Sequence, residues 1–150
     1  MEKKTKSAKT SYISSDCSIE SNINKWFDAE TERLVSKGED INNIFIVADP
    51  YYNEGTIICD DYTMKFNRTE KVIDLVINSE EGSPIWNDVI DNVPARFASC
   101  LNCNSNFVFH FSNKFGDEMG FYEYAFRANG HPVFAEVSYE WAAPIFERCF

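Results

Sequence analysis

Residues 121–141, FYEYAFRANGHPVFAEVSYEW, decide how the chain is read, because an Asn129-Gly130 dipeptide sits between two runs of alternating aromatic and polar residues. Asn-Gly between such runs is the strongest short-range hairpin signal, since both residues tolerate the positive φ of a type I′ turn. A two-residue turn there predicts the register: Phe126 opposite Val133, Tyr124 opposite Ala135, Tyr122 opposite Val137, and on the other face Glu123 opposite Glu136. Facing carboxylates destabilise a sheet by roughly 0.2–1 kcal/mol. A chain that keeps such a pair either tolerates the loss or uses the acidic face to hold something positive.

Working outward, Phe107, Phe109 and Phe111, then Tyr122, Tyr124 and Phe126, then Val133, Ala135, Val137, Tyr139 and Trp141 form three apolar rows of an expected β-meander. Its other face carries Val108 and His110, then Phe121, Glu123 and Arg127, then Phe134, Glu136, Ser138 and Glu140. Upstream, Ile19, Ile23, Trp26, Phe27 and Leu34 recur near a 3.6 period, with Asp16 or Ser18 as cap and Gly38 as stop, which predicts a helix over 18–37. Ser83-Pro84 opens a second helix over 84–101, with Trp86, Val89, Ile90, Val93 and Phe97 on one side and a kink expected at Pro94. Residues 43–48 and 56–66 read as strands. Residues 70–78 carry both a capping-box pattern and a strand alternation, and their β-branched content favours a strand.

The expected fold is therefore α+β: a mainly antiparallel sheet of about five or six strands, packed on one face by two or three helices. Residues 1–15 are polar and rich in Lys and Ser, and read as a disordered leader before a single domain over 16–150.

Composition narrows the function. The 150 residues carry a net charge of −10, and residues 1–10 alone hold +3, which leaves −13 on the other 140. Such a surface repels nucleic acid and anionic membranes and speeds encounter with basic proteins. Apolar runs are far shorter than a membrane span, and the Lys-rich start lacks the apolar stretch of a signal peptide, so a cytoplasmic location is expected. Five cysteines, an odd number lying in apolar or helical segments, suit reduced thiols. Cys100 and Cys103 have CxxC spacing but fall at a helix C-terminus, where the dipole disfavours thiolate, and no second spaced pair completes a zinc site. No nucleophile elbow, phosphate loop or zinc-protease motif is present, so no cofactor and no metal are expected.

The binding candidates are the acidic face, with Glu123, Glu136 and Glu140, His110 on the neighbouring strand and Asp117-Glu118 in the connecting loop, and the Tyr51-Tyr52 pair at the tip of a turn-rich loop. Opposed carboxylates can share a proton, hold a cation or receive Arg and Lys; exposed tyrosines rimmed by acids resemble interface anchors. Each set also has a plain structural explanation, as a solvated sheet face and as a tyrosine folded back over the core.

In size, acidity, lack of enzyme motifs and α+β pattern, the chain resembles the small immunity proteins that bacteria pair with polymorphic or contact-dependent toxins. That resemblance implies a cytosolic inhibitor of one cognate partner, a basic toxin domain that is often a nuclease. Glu123, Glu136, Glu140, Asp117 and Glu118 would then meet basic residues, and Tyr51 or Tyr52 would give an apolar anchor. Two alternatives remain open: a polyanion mimic that occupies a nucleic-acid-binding protein, and a small hydrolase using His110 with Glu123 or Glu136.

Overall fold

The computed structural model describes residues 4–6, 19–101, 106–126 and 132–150, with side chains described over 23–97, 106–124 and 134–150. Within them the chain is α+β, as its patterning predicts. Eight strands lie in sequence order in one sheet: β1 (Lys4–Lys6), β2 (Phe45–Ala48), β3 (Glu54–Ile58), β4 (Tyr62–Asn67), β5 (Val72–Ile77), β6 (Phe107–Asn113), β7 (Glu118–Phe126) and β8 (Pro132–Glu136). Every neighbouring pair is antiparallel except β5 and β6, which run parallel. A parallel pair needs a crossover, and the helix α2 (Pro84–Leu101) provides it. Lys4–Lys6, expected inside a disordered leader, instead pairs with β2 as an edge strand.

The helix α1 (Ile19–Ser36) and α2 form where the apolar period predicts them. Gly38, at φ 111°, ends the first, with its N–H and that of Glu39 donating back to Val35 and Leu34. The Ser83 Oγ accepts from the Trp86 N–H at 3.1 Å and starts the second. Both helices lie on one face of the sheet. Alternation along the strands puts Ile46, Ile57, Met64, Phe66, Ile73, Leu75, Phe109, Phe111 and Tyr124 against Ile23, Trp26, Phe27, Val89, Val93 and Phe97, all buried in one core. Gly55 faces Phe66 across β3 and β4, and a Cβ there would collide with that ring, so the small residue lets the aromatic lie flat on the sheet.

Three further expectations need correction. The segment 56–66 is two strands, not one, because Asp60 and Asp61 turn the chain: Asn78 Nδ2 donates to the Asp60 carbonyl, Glu39 accepts from the Asp60 N–H and Lys37 pairs with Asp61 at 2.9 Å. The row continuing to Tyr139 and Trp141 is not strand beyond Glu136; Ser138 caps a helix, α3 (Tyr139–Cys149), by accepting from the Trp141 N–H. The hairpin register is slipped by one residue, so that Tyr122 faces Glu136, Glu123 faces Ala135 and Tyr124 faces Phe134. A one-residue slip exchanges the two faces of a strand. Here it brings Phe134 onto the helix side, where its ring meets Tyr124 at 4.8 Å and Tyr122 at 6.1 Å, a larger apolar contact than Ala135 offers. The Asn129-Gly130 turn itself lies outside the described residues, as do Arg127, His131 and Cys103.

The third helix lies on the opposite face of the sheet from α1 and α2. Ala142, Ala143 and Phe146 pack on Val72, Val108 and Phe121, forming a second, smaller apolar cluster. Among the described residues, no helix is long and apolar enough to cross a membrane.

Candidate functional site

Among the described residues, the α3 side of the sheet holds a cleft lined by Asp74, His110, Glu118 and Glu147. The parallel pairing of β5 and β6 sets Asp74 beside His110 on this face. Antiparallel pairing of β6 with β7 sets Phe121 on the other side of His110, ring centroids 4.7 Å apart. Regular alternation would turn Glu118 toward α1 and α2, but a β-bulge between the Phe111 and Ser112 pairs, with Gly120 at φ 99°, inserts Met119 and pairs Glu118 with Ser112 instead. The bulge thus delivers the Glu118 carboxylate to the histidine.

His110 Nδ1 lies 2.9 Å from Asp74 Oδ1 and Nε2 lies 2.7 Å from Glu118 Oε1. Ionised carboxylates only accept, so when the ring is protonated each of its nitrogens donates to one acid. Burial by itself lowers the pKa of His110; the hydrogen bonds and charges of Asp74 and Glu118 outweigh it and raise the value above the ordinary 6.5. An imidazolium pinned at both nitrogens has no lone pair for a general base or a metal. Among the described residues no group of three or more His, Cys, Asp and Glu side chains is arranged to hold a metal ion.

Because the folded pKa is raised, the charged histidine stabilises the fold fully below about pH 6.5 and loses that contribution as pH rises through the folded value. Replacing His110 with Gln should therefore cost about 1–3 kcal/mol near pH 6, the scale of hydrogen bonds to charged groups, with the deficit shrinking toward about pH 9. Thermal melting of both proteins across that range checks it; a constant deficit would mean that the ring contributes only packing.

Around this triad, Phe121, Tyr139, Ala143, Phe146, Glu147 and Phe150 complete a cleft of about 330 Å³. Its rings form a continuous wall: Phe146 meets Phe121 at 4.8 Å and Phe150 at 5.7 Å, and Tyr139 meets Phe121 edge-on at 5.9 Å. Tyr139 is 63% exposed and Phe150 40%. Three carboxylates line the cleft, and His110 is the one basic group among its described lining residues.

The sequence-derived candidates divide. His110 and Glu118 are in the cleft, and Glu140 is exposed in the first turn of α3. Glu123 and Glu136 do not face each other: Glu123 is on the α3 side accepting from Asn106 Nδ2 at 3.2 Å, whereas Glu136 is exposed on the other face. Neither is a partner of His110. Asp117 closes the β6–β7 turn, accepting from Asn113 Nδ2 at 2.8 Å and from the Glu81 N–H at 3.2 Å. Tyr51 is 67% exposed. Tyr52, at φ 54°, folds back so that its hydroxyl donates to Asn24 Oδ1 at 2.8 Å and its ring leans on Phe27, and it covers the core. Asp74, Tyr139, Phe146, Glu147 and Phe150 were not among the candidates. A lone acid inside the apolar run Ile73-Asp74-Leu75 was the signal for the first; the others follow from recognising α3.

Cys59, buried among the described residues, is no nucleophile, since burial pushes its thiol up to about 12.

No family model, curated protein or solved structure matches the chain.

Proposed function

We propose that this protein is a protein-binding inhibitor, in the manner of an immunity protein, that neutralises a cognate basic partner such as a toxin domain. The observation that carries the proposal is the cleft under α3, where exposed aromatic rings stand beside carboxylates on a chain of net charge −10. Aromatic anchors with a charged rim are the composition of binding surfaces, and the acidic field adds steering toward a basic protein. The histidine fits this reading: both of its nitrogens are engaged by carboxylates, so that when protonated it is a positive strut between Asp74 and Glu118.

The binding surface is then the α3 face, with Glu118, Glu140 and Glu147 as its charges and Tyr139 and Phe150 as its anchors, in place of a Glu123–Glu136 pair. Affinity capture from the source organism tests this, with wild type beside Glu118→Lys/Glu147→Lys, followed by purification of what is captured. The expected result is one basic protein retained by wild type, lost by the variant, and inhibited when wild type is added back. Capture of no specific protein, or of many basic proteins equally, would overturn the dedicated inhibitor; the second pattern is that of a polyanion mimic.

A further inference from the structure

We infer that the cleft under α3 receives an arginine side chain of the partner, its guanidinium held between the Glu118 and Glu147 carboxylates and flat against the rings of Tyr139 and Phe150. The inference rests on the inhibitor reading and specifies how the partner is gripped.

The cleft is an apolar groove first. Phe121 and Phe146 form its floor and Ala143 narrows it, so a ligand must present carbon or a delocalised π-surface to most of the wall. Its charge is one-sided. Asp74 is committed to His110 Nδ1 and compensates the imidazolium. That leaves Glu118, whose Oε1 alone is engaged by the ring, and Glu147 as the acids open to a ligand, and both side chains are exposed. An anion is excluded by the three lining carboxylates. A neutral apolar group would bury none of its charge complement.

A planar cation satisfies both requirements. Guanidinium stacks on aromatic faces, is weakly hydrated for an ion, and presents a fork of donors that matches carboxylates in its own plane. An ammonium is a compact, strongly hydrated charge that fits the acids but not the wall. About 330 Å³ is also at the lower end of the range for small-ligand pockets, the size of one long side chain and not of a folded loop.

The probes are N-acetyl, C-amide tripeptides Gly-Arg-Gly, Gly-Lys-Gly and Gly-citrulline-Gly, titrated into the full chain at low salt and followed by NMR of the His110, Tyr139 and Phe150 rings. Expected is saturable millimolar binding of the arginine peptide with shifts centred on those rings, roughly fivefold or more tighter than the lysine peptide, and no saturable binding of citrulline, which keeps the shape but not the charge. The isosteric Glu118→Gln/Glu147→Gln variant should weaken binding about tenfold, and Tyr139→Ala, at an exposed position, keeps the test open if the double variant does not fold. Equal binding of citrulline, shifts elsewhere on the surface, or no saturable binding of the arginine peptide would overturn the inference. If the tripeptide fails while a basic protein is still captured and inhibited, the arginine site is wrong and the inhibitor stands. If the tripeptide binds while no basic protein is captured, the inhibitor reading is what fails.

Discussion

Replacing Glu30 with alanine is expected to cost about 3–5 kcal/mol, the scale for breaking a buried ion pair by removing one partner. Glu30 is 1% exposed on α1 and accepts from three described side chains, those of Arg96, Arg33 and Tyr62. Arg96 of α2 donates Nε to Oε2 and Nη2 to Oε1, each at 2.9 Å. Arg33, one turn along α1, donates to Oε1 at 2.7 Å, and Tyr62, fully buried on β4, donates its hydroxyl to the same oxygen at 2.8 Å. One carboxylate thus joins both helices to the sheet. Alanine would strand a buried phenol and leave two guanidinium groups without their counter-ion; the arginines are partly exposed and can turn to water, which places the loss toward the lower end of that range. Glu30→Gln should cost less, since its amide oxygen still accepts.

The pH dependence separates charge from shape at this position. Burial would raise the Glu30 pKa, but the Arg96 and Arg33 hydrogen bonds and charges outweigh it and hold the value below the ordinary 4.5. A depressed folded pKa contributes stability that is complete above the unfolded value and is lost as pH falls through the folded one. Urea denaturation of wild type and Glu30→Gln should therefore show a constant gap near neutrality that narrows below about pH 4.5. A gap that survives into strong acid would place the effect in packing.

Glu30 also marks what patterning alone could and could not convey. The period of Ile23, Trp26, Phe27 and Leu34 identifies α1 and its buried stripe, and the Ser83-Pro84 start identifies α2, because caps and periodicity are local properties. Long-range pairing is another matter. Strands β5 and β6 bracket α2, and that strand–helix–strand order is the pattern of a parallel crossover; read instead as the start of a meander, it hides the neighbour relation between Asp74 and His110. The hairpin register followed from one turn dipeptide, while the chain settled on the pairing that places Phe134 on the Tyr122 and Tyr124 rings. The position of Glu118 depends on a bulge, a one-residue irregularity with only Gly120 to signal it. The acidic, aromatic character of the surface was legible in composition. Which acids meet was decided by register, bulge and crossover.

The same dependence makes α3 a place where stability and the cleft are coupled. It is held by a satellite cluster of Val72, Val108, Phe121, Ala142, Ala143 and Phe146, separate from the main core, and by an exposed Arg148–Glu70 pair at 3.1 Å that is worth little. Phe146→Ala removes the central ring of that cluster. Large-to-small changes at buried phenylalanines cost about 3–5 kcal/mol. Because α3 packs in its own cluster on the opposite face from α1 and α2, the loss should appear as local opening: amide exchange on the order of a hundredfold faster along α3, with the core strands β4 and β5 still protected. His110 reports the same event independently. Burial is the largest influence on its pKa and acts to lower it, so removing the ring 5.9 Å away should raise that pKa further while Asp74 and Glu118 stay in place. Hydrogen exchange and an NMR titration of the histidine together test the coupling. Faster exchange throughout the sheet would mean that α3 is integral to one cooperative core. A fall in the His110 pKa would mean instead that Phe146 holds the carboxylates against the ring, with burial the lesser part of what it does.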